Sequence, residues 1–196
     1  MTPVEAAVQR PRVEGDRELE ILAATLEVLA DVGYDRLTMD AVATRAKASK
    51  ATLYRRWSSK VSLVIDALVH SKGPQDEPAD TGSLRGDLEA AFCGLGGLDD
   101  PEAVATFGAV VTAVTRDPAF AEAFRRDVLG PKVASSRSIW DRAAARGELR
   151  AGLDLDLFEP ALVGIVMHRV IVTGEAPDPD LITRVIDQII LPSATR

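Results

Sequence analysis

The stretch LTMDAVATRAKASKATLYRRWSSKVSLV, from Leu37 to Val64, holds two short helical patterns separated by a tight turn. Thr38 and Ser49 are residue types that cap helix N-termini, so we predict one helix after Thr38 and a second from Ser49 to about Trp57. Small or apolar residues recur where two such helices would touch: Val42, Ala43, Ala46, Ala48 and Leu53. The pattern predicts a helix-turn-helix, whose second helix enters the major groove of DNA.

The second helix and its surroundings are basic, although the chain as a whole is acidic. Residues 41–65 contain no Asp or Glu and six basic side chains: Arg45, Lys47, Lys50, Arg55, Arg56 and Lys60. The 196-residue chain carries a net charge of −7; residues 1–72 hold 11 basic and 10 acidic residues, a net of +1, and residues 73–196 hold 12 and 20, a net of −8. Because binding surfaces are local, an acidic average does not exclude nucleic acid.

The order of side chains along the second helix suggests their roles on DNA. The residues expected to face outward are Lys50, Ala51, Thr52 and Arg56. Lys50 and Thr52 lie near the start of the helix, where side chains reach base edges. Contacts to phosphates, which fix the register on the duplex, are expected further along, from Tyr54, Arg56 and Lys60. Trp57 should wedge this helix against the helix that precedes the helix-turn-helix and the helix that follows it, which are helices one and four of the chain.

The basic stretch has two other possible interpretations. It could be a solvated helix face, with Tyr54 and Trp57 as core aromatics. It could also belong to a helical adaptor that binds an acidic protein. The combination of N-caps, a small-residue turn, an acid-free window and a preceding helix favours the DNA interpretation.

Enzyme chemistry has little support in the sequence. The two histidines, His70 and His168, are far apart, and there is no HExxH pattern, Cys/His metal spacing, glycine-rich phosphate loop or nucleophile elbow. We therefore expect neither a catalytic residue nor a metal or other cofactor. The single cysteine, Cys93, excludes a disulfide within the chain and is expected to be a small buried apolar residue.

Helical patterns continue on both sides of the helix-turn-helix. DRELEILAATLEVLADVG repeats apolar residues at a helical spacing and meets Gly33, which can end the helix. SKVSLVIDALVHSK predicts a fourth helix, and GPQDEPADTG interrupts the pattern. Beyond this break, three Asp-Pro pairs predict helix starts: Asp100-Pro101, Asp117-Pro118 and Asp178-Pro179.

The C-terminal part predicts further helices. Gly130-Pro131 is expected to bend or break one of them, and Pro160 is expected to open an almost wholly apolar helix that runs to Gly174. The last helix stacks apolar residues in two stripes: Leu181, Val185 and Ile189, and Ile182, Ile186 and Ile190. No strand alternation competes with these patterns, so we predict an all-α chain of about nine helices.

Residues 16–72 resemble the DNA-binding domain of the TetR/AcrR family of transcriptional repressors. The resemblance rests on TLY, a bulky aromatic and a lysine three residues later, here Thr52, Leu53, Tyr54, Trp57 and Lys60. It implies that a set of residues occupies positions that touch operator DNA: Thr38, Lys50, Thr52, Tyr54, Arg56 and Lys60. Lys47 departs from the family, which most often has glycine there. If φ is positive at this position, either the turn is reshaped or Lys47 gains a phosphate contact in exchange for the strain.

The C-terminal part is similar, more weakly, to the other domain of that family, through RAAARGEL and the final helices. The resemblance implies a homodimer through the last two helices and a pocket for a small-molecule inducer. A symmetric dimer would present two recognition helices about 34–36 Å apart to a pseudo-palindromic operator. Bulky or adaptable residues expected near the pocket are Phe92, Cys93, Phe107, Val111, Trp140, Met167 and His168. Each could equally be ordinary core, and His168 could either orient a polar ligand or pair across the dimer.

The predicted organisation is therefore a disordered N-terminal arm (1–15), a helix-turn-helix DNA-binding domain that includes a connecting helix (16–72), and a ligand-binding and dimerisation domain (73–196). The arm contains Arg10 and Arg12, and is either a simple tail or a basic arm that reaches DNA. The N-terminus lacks the apolar stretch of a signal peptide, and the longest uncharged apolar run, Pro160 to Met167, is too short to cross a bilayer. A cytoplasmic protein that does not enter membranes is expected.

Overall fold

A computed structural model describes residues 14–71, 77–92, 100–175 and 179–195. Within these ranges the chain forms nine helices and no strand; the only β-type contact there is an isolated bridge between Leu149 and Thr195. The predicted all-α class is confirmed. The Arg10–Arg12 segment, Cys93 and Asp178 lie outside the described residues.

Four helices make up the N-terminal part: α1 (Glu14–Arg36), α2 (Met39–Arg45), α3 (Lys50–Arg56) and α4 (Lys60–His70). Thr38, Ser49 and Ser59 cap α2, α3 and α4, each accepting a hydrogen bond from the backbone N–H three residues on. These hydroxyls satisfy amide groups that have no partner within the helix. Gly33, at φ 73°, interrupts α1 one turn before its end, where the sequence placed the stop.

Five helices follow. The first two are α5 (Leu84–Phe92) and α6 (Pro101–Arg116). The other three are α7 (118–145), α8 (155–173) and α9 (179–194), and each contains a π-helical segment: Phe124–Leu129, His168–Thr173 and Ile186–Ile190 respectively. Asp100 and Asp117 cap α6 and α7 ahead of their prolines, as predicted.

One detail of the C-terminal prediction is wrong: Pro160 does not open α8, which begins five residues earlier because Asp154 accepts a hydrogen bond from the backbone N–H of Asp156. At Gly130-Pro131, expected to bend or break its helix, α7 is not broken: Gly130 keeps helical angles (φ −54°, ψ −51°), and π-helical turns precede it. In the stripe of the last helix, Leu181 and Val185 are buried and Ile189 is 46% exposed.

Apolar side chains form two buried clusters. The first joins α1–α4 to α6 and the start of α7, and Phe120, fully buried, packs its ring against Tyr34 of α1 at a centroid distance of 4.8 Å. The second joins α5, the end of α7, α8 and α9 around Trp140 and Ile186. The first cluster therefore continues across the boundary predicted at residue 72.

A buried carboxylate links two of the helices that form the second cluster. Asp87, fully buried on α5, accepts hydrogen bonds from the backbone and hydroxyl of Thr81 at 2.7 and 2.8 Å, and from the Arg146 guanidinium at 3.0 Å. Burial opposes ionisation of this group, but the hydrogen bonds from Thr81 and Arg146 outweigh it and hold the pKa of Asp87 below its ordinary value. Asp87 thus ties α5 to the end of α7.

We expect Asp87→Asn to lower the free energy of unfolding by about 3 kcal/mol at neutral pH, because it leaves Arg146, and Arg142 at 3.5 Å, facing a neutral group in a buried site. The unfolded chain protonates Asp87 near the ordinary pKa of 3.8 and the folded chain only at lower pH, so the wild-type protein loses this contribution as the pH falls through that interval. Urea unfolding followed by circular dichroism at several pH values measures both effects.

The matched control is Asp80→Asn, which removes a 61% exposed partner of the same arginine and should cost less than about 1 kcal/mol. The role given to Asp87 is wrong if the two variants lose the same free energy of unfolding. It is also wrong if the free energy of unfolding of Asp87→Asn falls with decreasing pH as steeply as that of the wild type.

Candidate nucleic-acid interface

The helix-turn-helix is built on close contact between α2 and α3. Val42 and Leu53 are fully buried where the two helices meet, and Ala43 and Ala46 are buried beside them. Small side chains allow the two backbones to approach, as the sequence predicted. Trp57, 2% exposed, donates its indole N–H to Asp66 at 2.8 Å and so fixes the end of α3 to α4.

The turn between α2 and α3 is strained at one residue. Lys47 has φ 51° and is the one non-glycine residue with positive φ among those described. The Arg17 guanidinium of α1 donates hydrogen bonds to the carbonyl oxygens of Ala46 (2.9 Å) and Lys47 (2.6 Å), which holds the turn in place. The condition left open in the sequence analysis, a positive φ at Lys47, is therefore met.

The residues expected to contact DNA lie on the surface of this unit. Thr38, Lys47, Lys50, Ala51, Tyr54 and Arg56 are exposed, and Thr52 and Lys60 are partly exposed. The Thr52 hydroxyl is 2.8 Å from that of Ser49, the cap of the same helix. α3 therefore presents its polar side outward while Leu53 anchors its other side. That these exposed residues contact DNA stays a prediction.

Acidic side chains neutralise much of the basic surface, a feature that the acid-free sequence window did not indicate. Asp40 accepts a hydrogen bond from the Lys50 ammonium at 2.6 Å, and Glu18 accepts two from the Arg56 guanidinium at 2.9 and 3.1 Å. These hydrogen bonds raise the pKa values of both basic groups. A third cation, Arg45, pairs with Glu27 and Asp31 of α1. The acids come from outside the window, and only the α1 packing and the register of α2 bring them close.

Lys60 connects the interface to the rest of the molecule. Its ammonium donates to the carbonyl oxygen of Tyr34 at 3.2 Å and lies 4.2 Å from the centre of the Tyr34 ring. The Tyr34 hydroxyl in turn donates to Asp117 at 2.7 Å, the cap of α7. This contact holds the pKa of Asp117 below its ordinary value, while burial, followed by the Asp117 hydrogen bond, raises that of Tyr34. A short chain of contacts thus runs from the start of α4 to the junction of α6 and α7.

The predicted ligand residues that the structure describes lie on four helices, α5, α6, α7 and α8. Trp140 is 1% exposed in the second cluster, against which the half-buried Phe92 packs, and its indole N–H has no hydrogen-bond partner among the described residues. Phe107 and Val111 are half-buried on α6. On α8, Met167 is half-buried and His168 is exposed; His168 lines an open groove of about 470 Å³ with Ala161, Gly164, Ile165 and Arg169.

Two features are absent from the described residues. No group of three or more His, Cys, Asp or Glu side chains in those ranges is arranged to hold a metal ion. None of the helices found there is both long enough and apolar enough to cross a membrane.

An all-helical fold with a helix-turn-helix near its N-terminus, as the described residues have, is typical of DNA-binding transcriptional regulators. Residues 21–67 match the family described as bacterial regulatory proteins, tetR family, and residues 78–189 match the tetracyclin repressor-like C-terminal domain. The chain belongs to the TetR family of transcriptional regulators, which are not enzymes.

Known proteins share this similarity over most of their length. The chain is 39% identical to the uncharacterized HTH-type transcriptional regulator Rv1556 of Mycobacterium tuberculosis, over 92% of this chain and 89% of that protein. It is 35% identical to the DNA-binding transcriptional repressor TetR of Mycobacteroides abscessus, over 89% and 92%. The crystal structure of the TetR family transcription regulator SCO0332 superposes with a TM-score of 0.65 at 27% identity, over 89% of this chain and 98% of that one.

The strained turn gives a direct test of what Lys47 contributes. We expect Lys47→Gly to raise the free energy of unfolding by about 0.5–1 kcal/mol, because glycine adopts positive φ without steric cost. The same variant should bind duplex DNA more weakly and with a shallower salt dependence if the lysine contacts a phosphate. Chemical denaturation and fluorescence anisotropy at several salt concentrations measure the two effects.

Lys47→Ala separates the two contributions, since it removes the charge but keeps a side chain at positive φ. It should lose DNA affinity as Lys47→Gly does, with no gain in stability. If the Lys47→Gly protein is less stable than the wild type, the left-handed backbone at Lys47 does not lower the free energy of unfolding as we expect.

Proposed function

We propose that this protein represses transcription in the cytoplasm as a homodimer that binds a pseudo-palindromic operator and is released from it by a small-molecule ligand. The observation that carries the proposal is the outward, cation-bearing side of α3, held at a fixed angle by α2 and by the Trp57–Asp66 hydrogen bond. This is the arrangement with which a recognition helix enters the major groove.

The division of roles along the interface follows from position. Lys50 and Thr52 start the recognition helix and would read base edges, with lysine suited to the acceptors of guanine. Thr38 and Ala51 would lie against the duplex beside them. Contacts to phosphates are assigned to Lys47, Tyr54, Arg56 and Lys60, which would fix the register without reading sequence.

An exposed apolar surface supports dimerisation through the last two helices. On α8, Val163 is 38% exposed, Ile171 47% and Val172 69%. Ile189 is exposed on α9, and a side chain at Gly164 would meet no neighbouring atom within 4 Å. Large exposed apolar side chains on two helices that contact each other are typical of an interaction surface, and a second copy of the chain would cover them symmetrically.

Ligand release would follow from linkage between the two parts of the chain. A ligand held near Phe92, Cys93, Phe107, Val111, Trp140, Met167 and His168 would favour an arrangement in which the recognition helices of the dimer are misspaced. Because α4 carries Lys60 at one end and contacts α7, movement of α7 would tilt it. The ligand could weaken operator binding only by the factor by which it prefers the released arrangement.

The recognition helix is tested by substitution after operator fragments have been selected from genomic DNA. Lys50→Ala and Thr52→Ala should each reduce discrimination between operator and random duplex, by about 1–3 kcal/mol for a good base contact. Tyr54→Phe removes a hydroxyl assigned to phosphate and should weaken both duplexes similarly. Anisotropy titrations give the ratios. If all three variants lose affinity uniformly, the division of roles fails; if binding ignores DNA sequence and salt, a protein partner of the adaptor type replaces the operator.

The dimer is tested by placing a charge in its expected interface. Val172→Asp should convert the protein to monomers at low micromolar concentration, because a carboxylate would be buried without a partner. Sedimentation equilibrium measures the mass. Val133→Asp is the matched control, since Val133 is 48% exposed on α7, outside the last two helices. A wild-type protein that sediments as a monomer, or dimers that survive Val172→Asp, would contradict this interface.

A further inference from the structure

Lys50, the cation at the start of the recognition helix, is already paired with an acid of the helix-turn-helix. The Lys50 ammonium donates to Asp40 Oδ2 at 2.6 Å, across the turn that joins α2 to α3. The two side chains are 64% and 56% exposed, so the pair lies on the surface offered to DNA. Duplex DNA that approaches α3 must therefore compete with Asp40 for this lysine.

Such a pair is weak enough to exchange. Exposed ion pairs contribute little to stability, so Asp40 is not needed to hold the fold together. An ammonium has three donors on a flexible stem, and the carboxylate restricts where they point. The pair therefore selects one orientation of Lys50 without fixing it permanently.

We propose that Asp40 is a positioning residue that determines specificity: it keeps Lys50 off the phosphates of random DNA and aims it at a base edge in the operator. On random duplex, no base acceptor is in place and Lys50 stays with Asp40. At the operator, a base acceptor takes the free donors of the ammonium. Asp40 thus lowers non-specific binding more than specific binding. The inference depends on the proposed function, because it requires α3 to lie in the major groove.

The other ion pair of α3, between Arg56 and Glu18, differs from the Lys50–Asp40 pair in its expected DNA target. Arg56 is held by Glu18 of α1, and its expected target is a phosphate, which is present on every sequence. Glu18 therefore lowers affinity for all duplexes alike. Asp40 of α2 and Glu18 of α1 pair with cations at opposite ends of α3, and only the acid beside the base-reading residue affects discrimination.

The test compares Asp40→Asn with the wild-type protein on the selected operator and on a random-sequence duplex of equal length, at several salt concentrations. Asp40→Asn should bind random duplex about two- to fivefold more tightly. Its log–log salt slope should be steeper by about 0.9, the value for one additional phosphate neutralised. Operator affinity should change by less than about twofold, so the specificity ratio falls by about two- to fivefold.

Three further variants make the result decisive. Asp16→Asn removes an equal charge from an exposed acid of α1 and should leave the ratio unchanged. Glu18→Gln should tighten both duplexes equally. In a Lys50→Ala background, Asp40→Asn should have no effect on either duplex, because its action passes through Lys50.

The outcomes separate this inference from the proposed function. A Lys50→Ala protein that binds both duplexes as the wild type does would overturn the placement of α3 in DNA. If Lys50→Ala loses operator affinity but Asp40→Asn leaves the specificity ratio unchanged, the positioning role is wrong. If Asp40→Asn tightens binding equally in the Lys50→Ala background, Asp40 acts only by repelling phosphates, and the proposed aiming of Lys50 is wrong.

Discussion

The packing of α2 against α3 fixes the direction in which the side chains of α3 point. Val42 and Leu53 exclude solvent completely where the helices meet, and the turn between them closes only because Lys47 accepts a left-handed backbone. Arg17 of the first helix supports that turn through two carbonyl oxygens. A wider or looser contact would turn α3 about its axis and point its polar side elsewhere, so recognition depends on a few small apolar residues that never touch DNA.

Charge is used locally in this chain. A net charge of −7 repels nucleic acid at long range, and three of the six cations in and around the recognition helix, Arg45, Lys50 and Arg56, are paired with carboxylates. Surface pairs of this kind exchange readily and are screened by salt. Under the proposed function, such a surface would resist indiscriminate adsorption to DNA and would gain affinity only where several cations find better partners at once. That behaviour would suit a regulator that must find few sites among many.

The sequence predicts local structure well because caps, periodicity and turn residues act over a few positions. Thr38, Ser49 and Asp117 mark helix starts correctly, and the lysine-for-glycine departure identifies the residue at which the turn has a positive φ. Pro160 misleads because the cap at Asp154 already starts the helix upstream of the proline. The ion pairs of Lys50 and Arg56 escape prediction because their acids lie on other helices. The π-helical segments escape it because they have no recognised sequence pattern.

The contact of Tyr34 with Asp117 and Phe120 has a practical consequence for anyone who wishes to exchange DNA-reading units between relatives. A fragment cut after α4 would leave the apolar side of α1 open to water, together with a tyrosine hydroxyl deprived of its acceptor. In chimeras joined there, α1 would pack against α6 and α7 of a different protein, and the side chains of this interface would not match. Carrying α6 and the first turns of α7 along with the reading unit would preserve the native interface, although these segments lie far downstream in the gene.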